Sequence, residues 1–178
     1  MENAVCFLKG LTMYVPEHFK LQGWFPPFFF NKLFPHYGIR LWEYLDNRIL
    51  ITADEIRKRY NCPFIMNTWF SESMMEAYGL HQWRGYRDEF CPYLKKEKID
   101  PFKNLSMHGK GSAQDSVPVG NISVEEIRED ILRHPFKQPF QYITGLELDV
   151  SWLHIDCRNW NKRKYGIKTF RRPKQEGV

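Results

Sequence analysis

The sequence lacks any continuous apolar stretch of the roughly 18 residues that a membrane-spanning helix requires. It also lacks a basic N-terminal region followed by a long apolar run, so we predict no secretory signal and synthesis in the cytoplasm. No C-x-x-C pair occurs among the four cysteines, Cys6, Cys62, Cys91 and Cys157. Scattered thiols of this kind are typical of a reducing compartment and do not indicate a disulfide framework.

The 178 residues suit one domain, and 43% of them are hydrophobic, which is enough for a core. We predict a single domain over residues 1–160, with an aromatic and helical part over 1–62 and a metal-site core over 63–160. Residues 161–178 are rich in Lys and Arg, and we interpret them as a basic C-terminal tail.

The formal net charge of +5 at pH 7 favours anionic partners. An anionic cell-wall polymer could bind the basic tail, and a solvated tail without a partner is an equal alternative. A nucleic-acid interface is disfavoured, because the tail carries only Tyr165 and Phe170 as aromatic residues.

Two capping-box patterns predict the clearest helices. Thr52 and Glu55 form the first, which predicts a helix over residues 53–60. Ser123 and Glu126 form the second, which opens the amphipathic segment VEEIREDILRH.

Strand composition appears in three segments, FIMNTW over residues 64–69, FQYITGLEL and SWLHIDCR, with a turn between the last two near 149–151. Pro27 suits the first turn of a short helix in the aromatic segment PPFFFNKLF. The order of these elements predicts an α+β fold with a small, mainly antiparallel sheet flanked by helices.

Three potential metal ligands occur in two short segments. SMHGKGSAQD, residues 106–115, carries His108 and Asp115, and its small residues would let the chain turn tightly and lie close to its neighbours. In the predicted strand SWLHIDCR, His154 and Asp156 point to the same side, because side chains alternate along a strand. A catalytic zinc needs three such ligands, an open position for water and a nearby carboxylate that accepts a proton.

The sequence resembles one enzyme family in three places. SMHGKGSAQD matches the pattern S-x-H-x-x-G-x-A-x-D at every fixed position, SWLHID is similar to a closing W-x-H-x-D element, and WRGYR is similar to an arginine-bearing turn. These motifs resemble those of the zinc D-Ala-D-Ala carboxypeptidases of the hedgehog/DD-peptidase superfamily. The similar elements span residues 67–158, and the N-terminal third resembles phage-borne, endolysin-like members.

The resemblance implies a hedgehog/DD-peptidase-like fold and a set of roles. His108, Asp115 and His154 would hold zinc. Arg87 would stabilise the oxyanion that develops on the substrate carbonyl, or bind a substrate carboxylate. Ser106 would lie beside the metal and contact a ligand or the substrate.

The chain departs from the family pattern at the general base. The dipeptidase branch has Glu three residues before the last histidine, where this chain has Ser151. We therefore predict Glu147 as the catalytic base, with Asp149 as the alternative, and expect Asp156 to support the metal ligands.

The sequence thus predicts a zinc-dependent metallopeptidase that hydrolyses amide bonds of peptidoglycan stem peptides, as a DD-carboxypeptidase or an endopeptidase. It would be encoded by a phage or prophage and act on the cell wall after release, or as part of a phage particle. The alternative is a structural or adaptor component that contacts other phage particle proteins and keeps the zinc-binding fold. The ligand types suit zinc and also permit manganese or iron.

Overall fold

Five strands form a mixed sheet against which the helices pack, and the computed structural model describes residues 7–8, 11–88, 90–93 and 106–171. The strands are β1 (Phe7–Leu8), β2 (Leu11–Thr12), β3 (Phe64–Ile65), β4 (Ala113–Pro118), β5 (Gly145–Leu148), β6 (Leu153–Asp156) and β7 (Lys168–Arg171). The helices are α1 (Pro27–Tyr37), α2 (Asn47–Tyr60), α3 (Glu72–Tyr78), α4 (Val124–Arg133) and α5 (Lys162–Tyr165).

The strand order in the main sheet is β3-β4-β6-β5-β7, and β1 and β2 form a separate hairpin. Neighbouring strands from β3 to β5 are antiparallel, whereas β7 runs parallel to β5. The α+β class is therefore confirmed, and the sheet is mixed rather than mainly antiparallel. No helix in the described part of the chain is long and apolar enough to cross a bilayer.

The last strand lies within the segment that we interpreted as a basic tail. Lys168–Arg171 pairs with β5 over four residues, and α5 connects it to the end of β6. The described part of residues 161–178 therefore belongs to the fold, and residues 172–178 lie outside the described part. Lys168, Thr169 and Arg171 are exposed, and charged side chains on an exposed strand are typical of the edge of a sheet.

Helix α2 begins earlier than the sequence pattern indicated. Asp46 is its N-cap, and the Asp46 carboxylate accepts a hydrogen bond from the Arg48 backbone N–H at 2.9 Å. Thr52 lies inside the helix, where its hydroxyl donates to the Arg48 carbonyl oxygen at 2.7 Å. The prediction that Thr52 caps a helix over residues 53–60 is therefore wrong at its start.

The other helix signals are confirmed. The Ser123 hydroxyl accepts from the Glu126 backbone N–H, and the Glu126 carboxylate accepts from the Ser123 N–H, so the second capping box opens α4. Pro27 is the first residue of α1. The strand predicted over residues 64–69 is short and covers only Phe64–Ile65.

The sheet has an apolar face and a polar face. Leu146, Leu153 and Ile155 are fully buried in the main core, together with isoleucines of α2 and α4 such as Ile56 and Ile131. Since side chains alternate along a strand, the neighbouring positions of β5 and β6 point to the opposite face. That second face carries the histidine and carboxylates that the sequence singled out.

Arg128 of α4 holds the connection between β5 and β6. It is buried, and its Nε donates to the Glu147 carbonyl oxygen at 3.1 Å. Its Nη2 donates to the carbonyl oxygens of Val150 and Trp152 at 2.7 and 2.6 Å. One guanidinium therefore satisfies three backbone acceptors around this turn, which fixes the two strands that flank it.

Replacement of this guanidinium should destabilise the protein. We expect Arg128→Met to lower the free energy of unfolding by about 2–4 kcal/mol, because buried carbonyl groups lose a charged donor. Urea unfolding of the metal-free protein, followed by circular dichroism, measures this change. Arg133→Met on the exposed end of the same helix is the control and should change stability by less than about 0.5 kcal/mol. Equal midpoints for both variants would contradict the role of Arg128.

Candidate metal centre

The register between β4 and β6 brings two of the predicted ligands together. Asp115 lies directly opposite His154, and directly opposed residues of antiparallel strands share a face of the sheet. The His154 Nδ1 lies 2.6 Å from the Asp115 Oδ1. Both side chains are buried, so this contact forms in a site that is shielded from water.

The third ligand reaches the same place from a tight turn. Within it the Lys110 N–H donates to the Ser106 carbonyl oxygen at 3.2 Å, and the Gly111 N–H donates to that of His108 at 3.0 Å. Gly111 has φ of +65°, and a Cβ there would overlap the backbone of Tyr44. The tight turn and close approach predicted for this segment are therefore confirmed, and glycine is required at this position.

The three donor atoms form a triangle of suitable size for a metal ion. The His108 Nε2 lies 3.3 Å from both the His154 Nδ1 and the Asp115 Oδ1. Ligand atoms roughly 2.0–2.2 Å from a tetrahedral metal are about 3.3–3.6 Å apart. The shorter 2.6 Å side is the hydrogen bond between His154 and Asp115. This buried group could bind a metal ion.

A backbone carbonyl lies beside one imidazole ring, and a carboxylate lies beside the other. The Nδ1 of His108 lies 2.7 Å from the Gly85 carbonyl oxygen, so Nδ1 carries the proton and Nε2 faces the other ligands with its lone pair. His154 faces the group with Nδ1, and its Nε2 lies 3.5 Å from the Asp156 Oδ2. Asp156 in turn accepts a hydrogen bond from the Arg158 Nε at 2.8 Å. Its position beside His154 is the one expected for a residue that supports a metal ligand.

The WRGYR segment, residues 83–87, supports two ligands at once. The Arg84 carbonyl oxygen accepts from the Asp115 N–H at 2.7 Å, and the Arg87 Nη2 donates to the Asp115 Oδ2 at 2.7 Å. The Nε of Arg87 donates to the Trp83 carbonyl oxygen at 2.6 Å. Arg87 therefore contacts a candidate metal ligand directly, and the other carboxylate oxygen of Asp115, Oδ1, faces the two histidines.

Burial and mutual contact set the charges of the group. Burial lowers the pKa of His108, which keeps this imidazole neutral at pH 7. Burial would raise the pKa of Asp115, but the hydrogen bond and charge of His154 oppose it, and the pKa lies far below the ordinary value. Burial would also lower the pKa of His154, but hydrogen bonds with Asp115 and Asp156 raise it to about 9. In the metal-free protein a proton therefore links His154 to Asp115.

Of the two predicted bases, Glu147 shares the face of the ligands. Gly145 pairs with Asp156 and Leu146 with Ile155, and this register places Glu147 next to His154. Glu147 is buried. Asp149 is exposed in the turn beyond β5, and its carboxylate forms an ion pair with Arg171, so the structure does not bring it to the group.

Ser106 lies in the turn that carries His108. Its hydroxyl accepts from the Gly109 backbone N–H at 3.2 Å, so it shapes the turn. The sequence reasoning missed Phe170 of β7, whose ring lies 5.4 Å from the His154 ring, centroid to centroid. The segment KTFR shows no alternation of apolar and charged residues, so no signal in the sequence indicates this contact.

Comparisons with protein-family models, with curated proteins and with solved structures give no match to this chain. The resemblance to the zinc carboxypeptidases therefore depends on the motif residues themselves. The structure brings His108, Asp115 and His154 together, although they come from two segments about forty residues apart in the sequence.

We predict that the protein binds about one divalent metal ion per chain and that His154→Ala lowers its affinity more than about 100-fold. The reason is that three buried donors converge on one point, and loss of one leaves two. Elemental analysis after zinc loading and dialysis measures the stoichiometry. His36→Ala, on the exposed side of α1, is the control and should keep its zinc. Equal zinc in the wild type and in His154→Ala would contradict the assignment.

The raised pKa of His154 predicts that the metal-free protein loses stability with increasing pH. The protonated imidazole stabilises the fold fully below pH 6.5, and this contribution is lost as the pH rises through about 9. We therefore expect the urea midpoint of the metal-free protein to fall across this window. His154→Gln should show a smaller fall, and identical declines would show that other groups cause the effect.

Proposed function

We propose that this protein is a zinc-dependent metallopeptidase of the hedgehog/DD-peptidase superfamily that hydrolyses amide bonds of peptidoglycan stem peptides. The observation that carries the proposal is the buried triangle of His108, Asp115 and His154, with Glu147 beside it on the same face of the sheet. The sequence motifs that supply these residues support the choice of family.

The donor set fits zinc. Two imidazole nitrogens and one carboxylate oxygen are ligands that zinc commonly takes in catalytic sites, and three protein ligands leave one position open. A zinc ion held there would polarise an amide carbonyl and lower the pKa of a water molecule toward neutrality.

Glu147 supplies the proton transfers in this proposal. Its carboxylate takes a proton from the attacking water and then gives it to the nitrogen of the leaving amine. The amide bond breaks as the new carbon–oxygen bond forms, and the products are a carboxylate and an amine. Burial beside His154 suits this role, because a carboxylate shielded from bulk water keeps the proton within the site.

Arg87 has two tasks in this proposal. Its bond to the Asp115 Oδ2 keeps that carboxylate ionised and oriented. Its fixed positive charge would also stabilise the substrate carbonyl oxygen as that oxygen gains negative charge, which would favour the transition state over the substrate.

The resemblance of the N-terminal third to phage-borne proteins supports a phage or prophage origin. The protein would then act on the cell wall after release or as part of a particle.

A second candidate is a structural or adaptor component of a phage particle that binds zinc and does not cleave the peptide. The observation that favours it is Ser151, which occupies the position where the dipeptidase branch has its catalytic glutamate.

We predict that Glu147→Gln keeps its zinc and loses cleavage of purified muropeptides by about 10²–10⁴-fold. The amide of Gln cannot accept the proton, yet it fills the same space. Mass spectrometry of the digested muropeptides measures the rate and identifies the bond that is cut. Asp149→Asn is the matched control and should keep activity within about twofold, because this exposed carboxylate pairs with Arg171.

Three results separate the candidates. Cleavage by the wild type that Glu147→Gln abolishes supports the peptidase with Glu147 as base. Cleavage that both variants retain would contradict the assignment of the base. A zinc-loaded wild type that cleaves no muropeptide would contradict the peptidase and favour the particle component.

A further inference from the structure

An arginine that the sequence did not single out supports the histidine side of the candidate metal-binding group. Arg158 follows β6, and its Nε donates to both oxygens of the Asp156 carboxylate, to Oδ1 at 2.8 Å and to Oδ2 at 3.0 Å. The Arg158 Nη2 also donates to Oδ2. This Oδ2 lies 3.5 Å from the His154 Nε2. A chain of charged contacts therefore leads from Arg158 to a candidate ligand.

The Asp156 carboxylate is buried and has little room to move. Gly145 is its partner in β5, and a Cβ on Gly145 would overlap the carboxylate, so glycine leaves the space that it occupies. A buried carboxylate is costly without a fixed positive charge, and Arg158 supplies that charge. Without the guanidinium, a buried negative charge would remain beside His154 with no cation to hold its orientation.

The ring of Phe170 contacts both ends of this chain of contacts. The central carbon of the Arg158 guanidinium lies 4.7 Å from the centre of the ring, which is within the range of a cation–π interaction. The same ring lies 5.4 Å from the His154 ring, in an edge-to-face arrangement. Phe170 pairs with Glu147 in the register, so it extends from β7 over the polar face of the sheet.

Phe170 is also the residue of β7 that is partly shielded from solvent. The other three residues of the strand are exposed: Lys168, Thr169 and Arg171. Backbone pairing with β5 and packing of the Phe170 ring therefore dock this strand on the sheet. Because the ring contacts His154 and Arg158, displacement of β7 would disturb the candidate metal-binding group, and a change in that group would disturb β7.

We propose that Arg158 and Phe170 are positioning residues of the metal centre, and that they couple zinc affinity to the docking of β7. Arg158 fixes Asp156, Asp156 orients the His154 ring, and Phe170 packs against the arginine and the histidine. Coupling of this kind is reciprocal, so a metal ion held by His154 tightens the pairing of β7 with β5. The inference rests on the metal binding in the proposed function and does not require peptide cleavage.

The zinc dissociation constant, measured by competition with a chromophoric chelator, tests the positioning. Arg158→Gln should raise it about tenfold or more, and Arg158→Lys should recover part of the loss, because it keeps the charge without the planar fork. Phe170→Leu, which keeps an apolar side chain, should raise it about threefold. Arg171→Gln is the matched control on the same strand and should stay within about twofold, because this exposed arginine pairs with Asp149.

Hydrogen exchange of the backbone amides tests the coupling. Saturating zinc should slow exchange in β7 of the wild type about tenfold, and the effect should be much smaller in Arg158→Gln. The amides of α4, which packs on the core face, are the internal reference. A merely structural role of Arg158 would lower the urea midpoint without changing the zinc affinity or the response of β7.

Two results would overturn the proposal. One is a zinc affinity of Arg158→Gln and Phe170→Leu that matches that of Arg171→Gln. The other is exchange in β7 of the wild type that zinc does not slow beyond the change in α4. A wild type that shows the expected order of zinc affinities but cleaves no muropeptide would contradict the peptidase and support the positioning roles.

Discussion

The register between β4 and β6 is the constraint on which the candidate metal-binding group depends. Asp115 meets His154 only because these two residues are paired directly, and a slip of one residue would turn one of them toward the core. The apolar residues Leu153 and Ile155 penalise such a slip, because their burial fixes which face of β6 points inward. The hydrophobic core therefore sets the geometry of a polar site on the opposite side of the sheet.

The site is also organised before any ligand arrives. Gly85 orients His108 through a backbone carbonyl, and Arg87 holds one oxygen of Asp115. In the metal-free protein a proton between His154 and Asp115 stands in the place where a cation would bind. Binding of a divalent metal ion there would displace this proton, and little of the chain would need to move.

The three candidate ligands could be named from sequence because two short motifs that resemble those of a zinc peptidase family carry them. The turn that carries His108 and the alternation of side chains around His154 can each be predicted from one short segment of the sequence. The role of Arg87 was harder to predict, since its contact with Asp115 depends on a fold that joins segments 28 residues apart. The predicted start of α2 was wrong because a Thr-x-x-Glu pattern also occurs inside helices. There the Thr52 hydroxyl donates a hydrogen bond to a carbonyl oxygen of the preceding turn.

The parallel pairing of β7 with β5 has a consequence for any shortened form of the chain. If residues from Lys168 onward were removed, β5 would become an unprotected edge with free backbone N–H and C=O groups. The ring of Phe170 would also leave the face of His154 and expose it to water. Such a protein would be prone to pair edge to edge with its own copies, and it would aggregate although its core and ligands were intact.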